Sequence, residues 1–342
     1  VKGAHLKELQ LSWNKIGDGG VISLAEACAE GALASLTVLS LYINKIGDAG
    51  CIALADACAK GALANLQTLD LGYNAVGNAG VTALAEACAK GALASLTVLN
   101  LSGNKITDVS SLADPCAKGA LTSLTALGLD NNKITDVGVK SLAEACAKGA
   151  LTKLETLYLF QNRFGDAGCT ALADACAKGG LTKLEQLYLH QNQITHAGVK
   201  SFADACAKGA LAKLEKLSLS NNRITDAGVT SLAEACAKGG LASLTVLNIG
   251  GNEITDVSSL ADACAKGALT SLTILILQVN KIGDVGMKSL AEACAKGALA
   301  SLTFLILDSN MIGDYGVTAL ADACAKGALT KLESLILNNN NI

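Results

Sequence analysis

Residues Leu154–Gly179 read LETLYLFQNRFGDAGCTALADACAKG. From Leu154 to Leu159 apolar and variable residues alternate with period two, the pattern of a short half-buried strand. The leucines take one face, which leaves Tyr158 and Phe160 to the other. Asn162 closes the strand, and a buried turn asparagine can satisfy backbone N–H and C=O groups that the turn leaves unpaired. Asp166 is expected to be the N-cap of the helix that follows, because ALADACAK has high helix propensity. Leu172 and Cys176 are four apart and share its inward face. Gly179 reads as the C′ residue that ends it.

The same phrase recurs along all 342 residues. Its closing asparagines are Asn14, Asn44, Asn74, Asn104, Asn132, Asn162, Asn192, Asn222, Asn252, Asn280, Asn310 and Asn340. They are 30 residues apart, except for 28 at Asn104 to Asn132 and at Asn252 to Asn280. Both short copies read ITDVSSLAD and lie five repeats apart, as if a block had been duplicated; the near-identity of the rest also fits a consensus design. The expected organisation is one solenoid over residues 1–342, about 11 full repeats plus a terminal strand, with both ends inside a repeat. Pro115 should break a regular helix unless it lies in the first turn. Ala263 holds its place in the other short copy at the same length, so Pro115 is tolerated and does not cause the shortening.

The pattern L-x-x-L-x-L-x-x-N-x-[IVF]-x-x-x-G-x-x-x-[LF] resembles leucine-rich repeats of the ribonuclease-inhibitor type, as in NOD-like receptors and the GTPase activator for Ran. The resemblance implies an α/β fold: a right-handed horseshoe with a parallel β-sheet on the concave face and α-helices on the convex face. It implies little about the partner. This chain departs from the family in its mostly 30-residue period and in lacking distinct caps.

Composition excludes several classes. The net charge is −3, and the variable strand slots mix Glu8, Asp70, Asp130, Lys216 and Asp308, so no basic stripe exists for nucleic acid. No apolar run approaches the roughly 18 residues of a membrane span. Eleven of the 13 cysteines form a ladder, one per repeat from Cys28 to Cys324. Neighbouring helices pack about 8–10 Å apart, too far for a disulfide between ladder positions. Each is expected to be a small buried hydrophobe. Unpaired thiols in this number point to a reducing, cytoplasmic compartment. No P-loop, nucleophile elbow or zinc motif occurs, so the expectation is no enzyme, no cofactor and no metal.

A residue copied in every repeat holds the scaffold, so a specific site must come from what differs between repeats. Of ten aromatics, seven occupy the variable slots between and after the strand leucines. The first candidate patch joins Tyr158, Phe160 and Gln161 with Tyr188, His190 and Gln191 of the next repeat, which should be contiguous. A second joins Trp13, Ile43 and Tyr73, one slot in three successive repeats, with Tyr42 beside them. A third is more aliphatic: Ile274, Ile276, Val279, Phe304 and Ile306. Exposed aromatics on a rigid sheet are interaction anchors, so the expected function is a protein-binding scaffold that recognises a protein partner on its concave face. The rivals are a structural subunit packed through its ends and convex face, with end-to-end self-association, and a GTPase-activating regulator.

Overall fold

The computed structural model describes residues 5–342. The chain forms two compact halves, the first reaching Arg163 and including Lys178–Lys183, the second made of Phe164–Ala177 and Leu184–Ile342. The first half carries strands β1 (Glu8–Gln10), β2 (Val38–Ser40), β3 (Thr68–Asp70), β4 (Val98–Asn100), β5 (Ala126–Gly128) and β6 (Thr156–Tyr158). Helices α1 (Asp18–Ala29), α2 (Asp48–Ala59), α3 (Asn78–Ala89), α4 (Ser110–Ala117) and α5 (Asp136–Ala147) follow the first five of them. The second half begins with α6 (Asp166–Ala177). It continues through β7 (Gln186–Tyr188), α7 (His196–Ala207), β8 (Lys216–Ser218), α8 (Asp226–Ala237), β9 (Val246–Asn248) and α9 (Ser258–Ala265). It closes with β10 (Ile274–Ile276), α10 (Asp284–Ala295), β11 (Phe304–Ile306), α11 (Asp314–Ala325) and β12 (Ser334–Ile336).

Within each half, successive strands pair in parallel and in register, so one repeat superposes on the next. Leu39, Leu69, Leu99, Leu127 and Leu157 align as one row and are buried. In α6, Cys169, Leu172, Ala173, Ala175 and Cys176 face the same core, as the four-residue spacing requires. Gly61 shows how the helices end: at φ 94°, its N–H donates to Cys58 O (2.9 Å) while that of Ala62 donates to Ala57 O (3.0 Å), the pairing of a Schellman motif. Gly179 adopts the same left-handed conformation.

The asparagines knit repeat to repeat. Asn104 Nδ2 donates to Leu101 O and Ser102 O in its own turn and to Leu71 O one repeat back, and its Oδ1 accepts from Val76 N.

The expected N-cap role of Asp166 is corrected. Asp166 is the first helical residue of α6, and its carboxylate reaches forward to the next repeat, accepting from Thr195 N (2.8 Å), Thr195 Oγ1 (2.7 Å) and Gly198 N (2.9 Å). Asp18 does the same for Gly47 and Gly50, and Asp284 for Gly313 and Gly316. Stacking in register brings each carboxylate to the orphan N–H groups and positive end of the neighbouring helix. A glycine is needed there: a Cβ on Gly50 would lie 2.8 Å from Asp18 Oδ1.

His196 stands where this aspartate belongs in α7, and among the described residues no side chain accepts from Thr225 N or Gly228 N of α8. His196→Asp is therefore expected to stabilise the protein by about 1 kcal/mol, measured as a shift in urea midpoint at constant slope; an unchanged midpoint would refute the cross-repeat cap.

In the two short repeats Asp108 and Asp256 cap their own helices, through Ser110 N (2.9 Å) and Ser258 N (2.8 Å). Helices α4 and α9 have equal length with Pro115 in one and Ala263 in the other. Yet Pro115 lies sixth in its helix rather than in the first turn, so the helix tolerates it instead of breaking.

None of the 13 cysteines is in a disulfide, and all but Cys324 are buried. Burial pushes the thiols of Cys58, Cys88, Cys176, Cys236 and Cys264 up to about 12, which leaves them protonated and unreactive at neutral pH. Among the described residues no helix is long and apolar enough to cross a membrane.

Candidate functional site

The central leucines of β2 to β11 are buried in the core, so the residues between and after the strand leucines form the opposite, strand face. In the first half the strand registers align Gln10, Ser40, Asp70, Asn100, Gly128 and Tyr158 in one row. Two residues further along each copy, Ser12, Tyr42, Gly72, Ser102, Asp130 and Phe160 occupy equivalent positions. Tyr158 and Phe160 are half-buried while Leu157 and Leu159 between and beside them are buried, as the period-two reading requires.

These rows make a cavity of about 450 Å³. Tyr42 and Tyr73 stand on one side of it, Tyr158 and Phe160 on the other, and Asn100, Ser102, Gly128 and Asp130 form the floor. The tyrosine rings of the first pair meet edge to face with centroids 5.4 Å apart; Tyr158 and Phe160 do so at 6.4 Å. Glycines make room for the rings. A Cβ on Gly103 would lie 2.7 Å from the Tyr73 ring, and one on Gly72 would lie 3.0 Å from Tyr42. The sequence placed Tyr42 and Tyr73 in a different patch from Tyr158 and Phe160. The structure joins them, because the intervening repeats carry Gly, Ser, Asn and Asp where an aromatic would fill the gap. That run of small polar residues between two aromatic pairs was the signal that could have been read.

A polar network runs across the floor. Asp70 Oδ1 accepts from Gly72 N (3.0 Å) and Asn100 Nδ2 (2.9 Å). Asn100 Oδ1 accepts from Ser102 N (3.0 Å), and Ser102 Oγ donates to Asp130 Oδ1 (2.5 Å). Burial raises the carboxyl of Asp70 above the usual carboxylate range, against hydrogen bonds from Gly72, Asn100 and Ser40. Burial raises that of Asp130 likewise, against the bond from Ser102. Desolvation, then the charges of Tyr73, Asp70 and Asp130, push the Tyr42 phenol up. The sequence put both carboxylates among the variable strand slots but in no candidate patch.

The slot just before each turn asparagine is left-handed, with Trp13 at φ 61°, Ile43 at 52°, Tyr73 at 53°, and Gln161 and Gln191 at 56° and 54°. Gly103, Gly251, Asn131 and Asn221 suit this conformation. A bulky or β-branched residue there costs on the order of 1 kcal/mol, so Trp13, Ile43 and Tyr73 hold their places against a backbone preference. Trp13 is 75% exposed, with its ring 6.2 Å from that of Tyr42.

Tyr188, His190 and Gln191 lie in the second half. The Tyr188 phenol donates to Gln186 Oε1 (3.0 Å), and its ring meets His190 edge to face at 6.4 Å. Burial holds His190 below the usual imidazole range, so it presents a neutral ring at pH 7. In the third patch Ile274 pairs with Phe304 and Ile276 with Ile306. Among the described residues no cluster of His, Cys, Asp and Glu has the geometry to hold a metal ion.

Such a stack of strand–turn–helix copies defines a repeat solenoid. The chain belongs to the leucine-rich repeat family. The family described as "Leucine Rich repeats (2 copies)" matches residues 94–144 and 212–262. That described as "Leucine Rich repeat" matches 4–25, 32–55, 62–85, 150–173, 268–291 and 298–321. Among solved structures, a leucine-rich repeat protein of Leptospira interrogans is similar at a TM-score of 0.60 and 23% identity, covering 98% of this chain and 67% of that one. An internalin from Listeria monocytogenes is similar at 0.50 and 22%, covering 98% and 87%. At these identities the likeness concerns the fold. No curated protein matches. Leucine-rich repeats generally serve as protein-binding scaffolds.

Proposed function

We propose that this chain binds a protein partner through its strand face and does no chemistry on it. The observation that carries this reading is the aromatic-walled cavity of the first half, built on paired strands, with Gly72 and Gly103 just after β3 and β4 leaving room for the rings. Tyr and Trp bury large area with little loss of side-chain freedom, and a preordered sheet loses little entropy on association. In the first half Tyr42, Tyr73, Tyr158 and Phe160 wall that cavity, and Trp13, Ile43 and Gln161 belong to the same proposed surface; in the second half Tyr188, His190 and Gln191 are a separate candidate. A helix in every repeat supports the ribonuclease-inhibitor type, and 13 cysteines without a disulfide support a reducing, cytoplasmic compartment.

The test is capture of partners from the native source on immobilised chain, comparing the unaltered protein with Tyr42→Ala/Tyr158→Ala and with Lys288→Ala/Tyr315→Ala on the helix face. A partner lost with the first pair and retained with the second is the expected result, with affinity reduced about 30-fold or more at an aromatic hot spot. Loss only with the helix-face pair, or self-association in place of capture, would instead favour a structural subunit. Acceleration of GTP hydrolysis by a captured GTPase would show a regulator.

A further inference from the structure

We propose that the cavity between the Tyr42/Tyr73 and Tyr158/Phe160 pairs receives a protonated lysine or arginine side chain of a polypeptide partner, with Asp130 as its counter-charge. This rests on the protein-binding reading above and gives the partner a chemistry. Asp130 is only 6% exposed and lines the cavity floor. Among the described residues Ser102 is the one side chain that donates to it, and no Lys, Arg or His lines the cavity. A buried carboxylate without a cation is unfavourable, and burial already holds this one above its ordinary range. Each carboxylate has a backbone N–H donor, but Asp70 is less available, since the side chains of Asn100 and Ser40 both donate to it. Asp130 is therefore the acceptor left open to an incoming donor.

The walls favour the same ligand. Aromatic faces attract a cation, more strongly when it is desolvated, and the aliphatic stem of Lys or Arg packs along rings while its head reaches a polar end. An apolar side chain would cover the rings and leave Asp130 without a counter-charge. A metal ion would need a cluster of ligands that the described residues do not provide.

The full chain, titrated with short blocked alanine peptides bearing a central lysine, arginine or norleucine, provides the test by NMR of the tyrosine rings. The lysine or arginine peptide should shift the Tyr42, Tyr73 and Tyr158 resonances, and the tighter of the two names the head group. Norleucine should bind about 10- to 100-fold more weakly. Asp130→Asn keeps an acceptor for Ser102 and should reduce the cationic peptide to the norleucine level. The same variant should melt higher at pH 7. Asp130 titrates higher folded than unfolded, so its ionisation removes stability as pH rises; Asn avoids that loss, and its advantage vanishes in acid. A folded, more stable variant that no longer binds excludes misfolding as the cause. In the unaltered protein, cation affinity should fall on acidification with a midpoint above the ordinary carboxylate value; the titrating groups facing Asp130 are Asp70, Tyr42, Tyr73 and Tyr158. Equal binding of lysine, arginine and norleucine peptides, or undiminished binding by Asp130→Asn, overturns the assignment yet leaves strand-face recognition standing. Absence of any ring shift while partner capture still depends on Tyr158 overturns it too.

Discussion

Asn104→Ala is expected to lower the unfolding free energy by about 2–4 kcal/mol. Asn104 is buried, donates at 3.0, 3.0 and 3.2 Å to Leu71 O, Leu101 O and Ser102 O, and accepts from Val76 N at 2.9 Å. Asn74 also donates to Leu71 O, and Asn132 to Leu101 O, so those carbonyls keep one partner. Val76 N–H keeps none, and a buried orphan donor dominates the loss. Asn14 supplies the control: it is exposed and donates only within its own turn, so Asn14→Ala should change stability by less than about 1 kcal/mol. Urea unfolding of both variants measures the difference. Equal, small losses would show that the asparagines do not carry the backbone groups of neighbouring repeats. Because repeats contact only their neighbours, the loss should also loosen the repeats around Asn104 first, visible in amide exchange.

Pro115→Ala should raise stability by about 1–2 kcal/mol. A proline inside a helix costs about 3 kcal/mol through its missing N–H and ring clash. Its restraint of the unfolded chain returns about 0.4–1 kcal/mol, and the smaller alanine gives up some buried surface. Helix α9 has the equivalent alanine, so Ala263→Pro should destabilise by an amount of the same order. Thermal unfolding of the two exchanges tests this; opposite signs are expected, and a gain in neither direction refutes it.

Much of the architecture was legible because tandem copying repeats each local signal. Period-two leucines, the turn asparagine and the C′ glycine each specify conformation within a few residues, and all of them take the expected form. The role of Asp166 was misread for the same reason. A local rule assigns a carboxylate to its own helix, whereas stacking offers it the N–H groups of the next one. Pro115 was read as tolerated because Ala263 holds its place at equal length, and an eight-residue helix does carry it, at the sixth position and not in the first turn.

The candidate site was half legible. Its aromatics stood out as departures from the copied pattern, and the structure keeps their side chains on the strand face. Their grouping did not stand out, because it depends on the repeats between them. Gly128, Ser102 and Asn100 look like ordinary drift until the register places them under a gap between rings. The left-handed backbone before each asparagine was invisible for a similar reason: Ile43 and Trp13 argue against it, and only the turn geometry imposes it.

The sequence by itself determined the repeat, the secondary structure and which face each residue takes, since these follow from short-range periodicity and backbone preference. Tertiary structure alone decided that Asp130 is a buried carboxylate beneath aromatic walls. Desolvation and missing counter-charges depend on residues up to two repeats away, and no local pattern encodes them.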